Sequence, residues 1–438
     1  MKKLRLFLLL LVTLALTVNA ASAAQNDEPL AIVMTADGPI MPPMLEYIKR
    51  GIETADRRGA DVLIIQLDTP GGSIETMLEI ISEIRASSVP VVVYVAPRNA
   101  IAGSAGAMIT MAGHASAMAP ETSIGASSPI DGSGENLNST AETKAKEITK
   151  AAIRDYVRPR GEDALALAES MIDDAIAVTA TEALEVNLID AVVDNVDDLL
   201  EALDGKTVQM EGGPRTLDIA QANIELLEMS FIEGFLLLLT NPNIAFLLLA
   251  IGVQSVLIEI SSPGGWVAGF IGVSCLTLAV YGMGVLPINW FGIIFLVVAF
   301  VLFILDINAP THGALTTAGV ASFIVGALVL FNSPGTPDFQ RVSVPLVIAT
   351  GVSIGLLFFA VLMFAIRALR APIGSGAESL IGKTGTATMS LSGNGGQVQL
   401  ASELWTAESV DSSQKIRKGD TVEVVEVKGL RLKVRKKE

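Results

Sequence analysis

The sequence predicts three folds in series: a parallel α/β domain, a polytopic α-helical membrane domain and a small all-β barrel. Three observations carry this. From residue 30 to residue 194, short β-rich runs alternate with longer helical patterns, the signature of a parallel sheet. From 244 to 366, five apolar stretches each approach the length of a bilayer crossing. Beyond 380, short alternating runs are separated by glycine turns, as in a small barrel.

Composition agrees. The chain has 438 residues, 51% of them hydrophobic, and a mean hydropathy of +0.54, too apolar for an ordinary soluble protein. Its net charge of −16 argues against nucleic acid as a main partner. A single cysteine, Cys275, excludes an internal disulfide and a cysteine-built metal site. No cofactor or metal is expected. The only histidines are His114 and His312, a scarcity that limits the choice of catalytic base.

Residues 1–24 read as a signal peptide. Lys2, Lys3 and Arg5 form the charged region, 6–18 the apolar core, and Ala21-Ser22-Ala23 the small-residue cleavage pattern. The core is shorter than the ~20 residues a bilayer crossing needs. The following domain, about 25–225, is therefore expected to be exported.

Within it, 30–35 is a first strand. A helix is expected over 42–59, with Met44, Leu45, Ile48 and Ile52 on one face. Residues 62–67, VLIIQL, read as a strand buried on both faces. They end in Asp68-Thr69-Pro70-Gly71-Gly72-Ser73. A helix over 74–86, a strand over 89–95, a helix over 102–113 and a strand over 115–119 follow. Helices are expected at 143–157, 163–172 and 180–186, and a closing strand at 188–194.

Ser104 lies between Gly103 and Ala105-Gly106, at the start of a small-residue helix. Helix starts offer free N–H groups and the positive end of the dipole. Ser104 therefore reads as a nucleophile. Gly71 and Gly72, one strand earlier, present backbone without a Cβ in the way, as an oxyanion hole requires. Asp68 reads as turn chemistry, bonding the backbone two residues on.

A serine nucleophile needs a base. His114 lies ten residues on, about 15 Å along a helix, against the ~3 Å that proton transfer requires. It reads as a structural histidine. No histidine occurs between 116 and 311, so a Ser-His-Asp triad is excluded within this domain. A lysine remains, as in Ser-Lys enzymes. Lys144, Lys146 and Lys150 follow a flexible segment carrying Gly132, Ser133 and Gly134. A lysine base must be neutral, which takes burial among apolar groups.

Residues 231–239, FIEGFLLLL, are too short to span and read as interfacial or re-entrant. Spans are expected at 244–260, 266–286, 288–305, 314–331 and 345–366. Arg367, Arg370 and Lys383 beyond the last place that end in the cytoplasm. A second Pro-Gly-Gly, Pro263-Gly264-Gly265, reads as a loop. Glu259 and Asp306 read as caps near span ends, and Gly265, Gly269 and Gly272 permit close helix packing. The tail strands are expected at 380–391, 397–400, 404–408, 421–427 and 431–435, with Trp405 the tail's lone candidate stacking platform for a nucleic acid.

The series LDTPGG (67–72), GSAG (103–106) and MAPETSIGASSPI (118–130), in a chain built of signal peptide, α/β domain, membrane bundle and barrel tail, resembles the NfeD family of membrane-bound serine proteases. The resemblance implies a ClpP/crotonase-like fold for the exported domain and an OB-fold for the 375–438 tail, either side of a membrane domain over 231–370. It also implies a Ser-Lys dyad with Ser104 as nucleophile. The family's lysine stands nine residues before an Ile-Arg/Lys pair. Here that pair is Ile153-Arg154, which places the base at Lys144, with Lys146 next. Where the family carries an asparagine three residues after its lysine, this chain has Glu147.

On this reading the chain is a membrane-bound endopeptidase cleaving apolar segments, its oxyanion held by backbone N–H groups near Gly71, Gly72 and Ala105. A stomatin-like membrane partner and a dimer or larger homo-oligomer are implied. The rivals are a non-enzymatic scaffold organising stomatin-like proteins, a crotonase-type acyl-CoA enzyme, which export disfavours, and a protease like the Ser-Lys signal peptide peptidases.

Overall fold

The computed structural model describes residues 28–129, 139–261, 265–286, 288–308, 311, 313–333, 336–370, 377–391, 395–411 and 413–437. The expected signal peptide, the 132–134 segment, Pro263-Gly264 of the second Pro-Gly-Gly, and His312 lie outside the described residues.

The α/β domain runs β1 (Leu30–Asp37), α1 (Pro42–Arg58), β2 (Val62–Asp68), α2 (Ile74–Ala86), β3 (Val91–Val95), β4 (Ile101–Gly103), α3 (Ala105–Ala112), β5 (Ala115–Met118) and β6 (Ser123–Gly125). It continues through α4 (Ser139–Val157), α5 (Glu162–Asp173), β7 (Ala177–Thr179), α6 (Ala180–Glu185), β8 (Ala191–Val192), α7 (Val196–Leu203), the hairpin β9 (Thr207–Met210) and β10 (Gly213–Thr216), and β11 (Asn223–Leu227).

Six strands form one parallel sheet in the order β11-β1-β2-β3-β5-β8. Its central strands β2 and β3 are buried on both faces, which is why VLIIQL and VVVYV show no polar alternation. Leu63, Ile65, Val91 and Val93 enter one core, while Val62, Ile64, Val92 and Tyr94 enter the other. Each such aliphatic side chain contributes about 1.5–3 kcal/mol by leaving water. α1 starts on two prolines and buries Met44, Leu45 and Ile48. α2 is capped by Ser73, whose Oγ accepts from Thr76 N at 3.3 Å.

A second, three-stranded sheet, β4-β6-β7, lies outside the first. It corrects one expectation. Residues 101–103 are strand, and the helix begins at Ala105 rather than at 102. The backbone hydrogen bonds from Thr69 N to Ile101 O (2.7 Å) and from Gly103 N to Thr69 O (2.9 Å), with pairing to β6, hold this segment extended.

α8 (Phe231–Leu239) leaves Phe231, Ile232 and Leu238 exposed. It is tied to α1 by Arg50, whose Nε and a second guanidinium nitrogen each meet the Glu233 carboxylate at 2.7 Å. Among the described residues, four helices are long and apolar enough to cross a bilayer: α9 (Pro242–Ser261), α10 (Val267–Val285), α12 (Ala314–Phe331) and α13 (Val344–Arg370). Between them α11 (Phe291–Asn308) has a shorter apolar run, 291–306. Glu259 accepts from Trp266 N (3.1 Å) and Gly269 N (3.2 Å), so it caps the next helix across the loop. Asp306 does the same for α12, accepting from Thr316 N at 3.0 Å. These are the caps expected at span ends.

The tail, considered by itself, is a closed five-stranded barrel in the order β12-β13-β14-β16-β15, its strands being Thr384–Ala387, Gly396–Leu400, Glu403–Ser409, Thr421–Lys428 and Arg431–Lys436 in chain order. Val398, Val422, Leu432 and Val434 fill its interior. Trp405 packs on that core and donates from Nε1 to Glu403.

Candidate active site

Ser104 stands at the joint between β4 and α3 with φ 51° and ψ −112°. This is a left-handed conformation that costs a non-glycine residue of order 1–3 kcal/mol. The surroundings hold it there. Ser104 N donates to Gly125 O at 2.8 Å, Ala107 N donates to Ser104 O at 3.0 Å, and Ser127 Oγ donates to Ser104 O at 3.2 Å. Ser104 is half-buried, while every residue of α3 is buried.

The glycine turn abuts the serine. Gly71 has φ 115°, and a Cβ placed there would lie 2.8 Å from Ser104 Cβ and 3.4 Å from its Oγ. A Cβ at Gly72 would lie 2.1 Å from Ile40 O, because Ile40 bridges to this turn through Ile40 N to Gly71 O and Ser73 N to Ile40 O. Gly71 N donates to Thr69 Oγ1 at 3.1 Å. The structure thus gathers Ser104, Gly71, Gly72 and Ala105 in one place.

Asp68 acts differently from the turn expected of it. Its Oδ1 accepts from Ile101 N at 2.9 Å, tying the end of β2 to the strand that delivers Ser104. The two-residue turn is made by Thr69 instead. The sequence held no signal for this, since the partners are 33 residues apart.

Lys144 is exposed on α4. Lys146 donates from Nζ to Asp173 O at 2.8 Å and pairs with Glu142 at 2.9 Å. Lys150 is the most buried of the three, but it pairs with Glu147 and with Asp173. The Glu147 hydrogen bond, followed by Asp173, raises its pKa and keeps it charged. Among the described residues, none of the three is hydrogen-bonded to Ser104.

His114 is buried, and its Nδ1 accepts from Val91 N at 3.0 Å. Burial first, then the charge of Arg85, lowers its pKa to about 4. It is a neutral structural residue, committed to β3.

A cleft of about 540 Å³ opens over Ser104. Gly72, Ile74 and Pro129 line it from the α/β domain, and Leu286 and Phe339 from loops between membrane helices. Nothing in the sequence marks those loop residues. Behind Ser104 a small pocket of about 20 Å³ reaches Met77, Met108 and Thr149, room for about one water-sized group.

Comparisons with known proteins follow the same division of the chain. Family models match as the NfeD1b N-terminal domain at 33–212, the NfeD integral membrane domain at 243–364, and the NfeD-like C-terminal, partner-binding domain at 377–436. The membrane-bound protease PH1510 of Pyrococcus horikoshii is 33% identical over 440 residues, covering 99% of this chain and 97% of that one. The membrane protein NfeD1b of Bacillus subtilis is 28% identical over 344 residues, 76% of this chain and 72% of that one. Among solved structures, the 1510-N membrane protease specific for a stomatin homolog, from Pyrococcus horikoshii, is 28% identical over 49% of this chain and 99% of that one, with a TM-score of 0.42. A parallel sheet with Ser104 beside a second sheet, a bundle of membrane helices and a closed barrel, related over its whole length to a membrane-bound protease, together show that the chain belongs to the NfeD family, as a multi-pass membrane protein.

Proposed function

We propose that the chain is a serine endopeptidase in which Ser104 attacks a peptide carbonyl and Lys144 takes its proton. The observation that carries this reading is the strained Ser104 set against Gly71 at the start of α3. The Ser104 Oγ forms the new ester bond while its proton passes to Nζ. The amides of Gly72 and Ala105 hold the oxyanion beside the turn of Gly71, whose own N–H is engaged by Thr69. The proton then goes to the leaving amine as the C–N bond breaks. A water, deprotonated by the same lysine, releases the acyl group and restores Ser104. Elimination of His114, held neutral against Val91, supports a lysine base.

Lys144 is exposed in this structure, so the reading requires the bound peptide to exclude water around it. That exposure is also the observation that favours the second reading, a non-catalytic scaffold for stomatin-like proteins. The substrate we propose is an apolar segment of a stomatin-like membrane partner, as the resemblance to the NfeD family implies. The C-terminal match to a partner-binding domain supports a role for the barrel in that association.

The reading places residues 25–225 outside the cytoplasm and the 375–438 barrel inside. The loops after α10 and after α12 both line the cleft of Ser104. An even number of crossings therefore separates them. Since α12 is long enough to span, α11 crosses with it, for five spans in all.

The test is turnover of an apolar-rich peptide library by the full chain in lipid vesicles. Ser104→Ala and Lys144→Ala are expected to abolish it and Lys146→Ala to retain it. Loss in Lys146→Ala with Lys144→Ala active would move the base, and no serine-dependent turnover would favour the scaffold.

A further inference from the structure

The cleft over Ser104 is built from two sources. Its exported wall is the turn that carries Gly72 and Ile74, with Pro129 beside it. Its other wall is membrane domain: Val285 at the end of α10 and Leu286 directly after it, and Pro337, Phe339 and Gln340 in the loop before α13. Leu286 is buried, and Phe339 is half-buried. These are apolar groups placed opposite a nucleophile, where substrate side chains would lie. Arg50 and Glu233 fasten the exported domain to the interfacial helix α8 that precedes the first span.

We infer that Leu286 and Phe339 are specificity-determining residues of the protease, and that the segment they select is a chain just leaving the bilayer. This rests on the serine-protease reading above. Leu286 is the first residue past the end of a membrane helix. The cleft joining it to Ser104 is therefore within one cleft width of the membrane boundary. A width on the order of 10 Å is covered by about three extended residues. A peptide bond lying that close to its own membrane span can reach Ser104 while its neighbouring apolar residues pack on Phe339 and Leu286. A bond far along a soluble tail gains no advantage from that wall. The recognised chemistry is thus an extended, apolar juxtamembrane segment.

The experiment uses the full chain in phosphatidylcholine vesicles with substrates that carry a transmembrane anchor, a spacer of zero to thirty residues and a fluorogenic apolar cleavage sequence. Cleavage is expected to peak at spacers of about three to eight residues. Phe339→Ala and Leu286→Ala are expected to raise KM at the optimal spacer by about tenfold or more, with kcat within about twofold, since uniform binding is what is lost. A photoreactive phenylalanine analogue at position 339, in a Ser104→Ala background, is expected to capture the same substrate. That capture reads binding even where a variant is inactive.

A flat spacer dependence, no capture at 339 and unchanged KM in both variants, with Ser104→Ala dead, would overturn the inference and leave the protease reading standing. Turnover that survives Ser104→Ala would remove the reading on which the inference rests.

Discussion

Gly71 and Ser104 are packed so closely that a single added methyl on the glycine would lie 2.8 Å from the serine Cβ. Two local features legible in the sequence, a Pro-Gly-Gly turn and a Gly-Ser-Ala-Gly turn, are thereby one object in space. Gly71→Ala also places a side chain at φ 115°, a conformation that costs about 1–3 kcal/mol. We predict that Gly71→Ala, by displacing Ser104 and the adjoining Gly72 amide, lowers kcat by about a hundredfold or more, the range of losing the Gly72 oxyanion donor, while the circular dichroism of the chain is unchanged. Full activity in this variant would separate the glycine turn from catalysis.

Asp68 acts at one remove, through Ile101 N and the strand that ends at Ser104. Asp68→Ala is predicted to lower kcat about tenfold with KM little changed, in line with the ~1.5–3 kcal/mol carried by a hydrogen bond to a charged group. Asp68→Asn keeps an acceptor and is predicted to restore most of the rate. Equal losses in both variants would assign Asp68 an electrostatic rather than a positioning role.

His114 makes the α/β domain acid-sensitive. Its folded pKa, lowered to about 4 by burial, lies below the ordinary value of 6.5. Between those values the unfolded chain binds the proton and the folded chain does not. The stabilising difference is therefore full above pH 6.5 and is lost as pH falls toward 4, a loss of about 3 kcal/mol. Hydrogen exchange of the β3 amides, corrected for intrinsic rate, is predicted to lose about a hundredfold of protection across that window. His114→Asn, which keeps an acceptor for Val91 N, is predicted to flatten the dependence. An unchanged acid limb would assign it to other groups.

Arg50 and Glu233 set a second pH dependence at the membrane. The Arg50 hydrogen bond is the largest cause lowering the Glu233 pKa below its usual 4.5, with the Ser230 cap adding to it. The pair's contribution is present above pH 4.5 and is lost as pH falls through the lowered value. Both groups keep some solvent exposure, so the contribution is about 1 kcal/mol. Arg50→Ala is predicted to speed proteolytic nicking between 228 and 241 at neutral pH, and Arg50→Lys to do so less. No change in nicking would show the joint is held by other contacts.

Much of the α/β domain was readable because its signals are local. VLIIQL and VVVYV are buried on both faces, and a helix with a serine cap and an apolar stripe announces itself at 74–86. The strands of the outer sheet were not readable. β4, β6 and β7 have three residues each, too few for any periodicity to develop. The place of β11 beside β1 depends on a pairing across nearly the whole domain. In the site, Ser104 and the glycines were legible because helix starts and glycine turns are local chemistry. The link from Asp68 to Ile101 and the wall formed by Leu286 and Phe339 were not, because docking, rather than spacing, creates them. The lysine lay between these cases: the sequence put three candidates on one helix, and spacing cannot report which of them a bound peptide buries.

Sidedness tests the crossing count. In a Cys275→Ser background, Arg341→Cys is predicted to react with an impermeant maleimide from outside intact cells, and Ala314→Cys only after permeabilisation. Equal labelling of both from outside would mean that α11 and α12 do not cross the bilayer as a pair.

The central claim is that Ser104 forms the covalent bond to substrate. The direct measurement is mass spectrometry of the full chain quenched in acid during turnover of an apolar peptide ester. An acyl group on the fragment carrying Ser104, absent in Ser104→Ala and chased by time, is the predicted result. Turnover with no adduct at Ser104, or undiminished turnover by Ser104→Ala, would contradict the account.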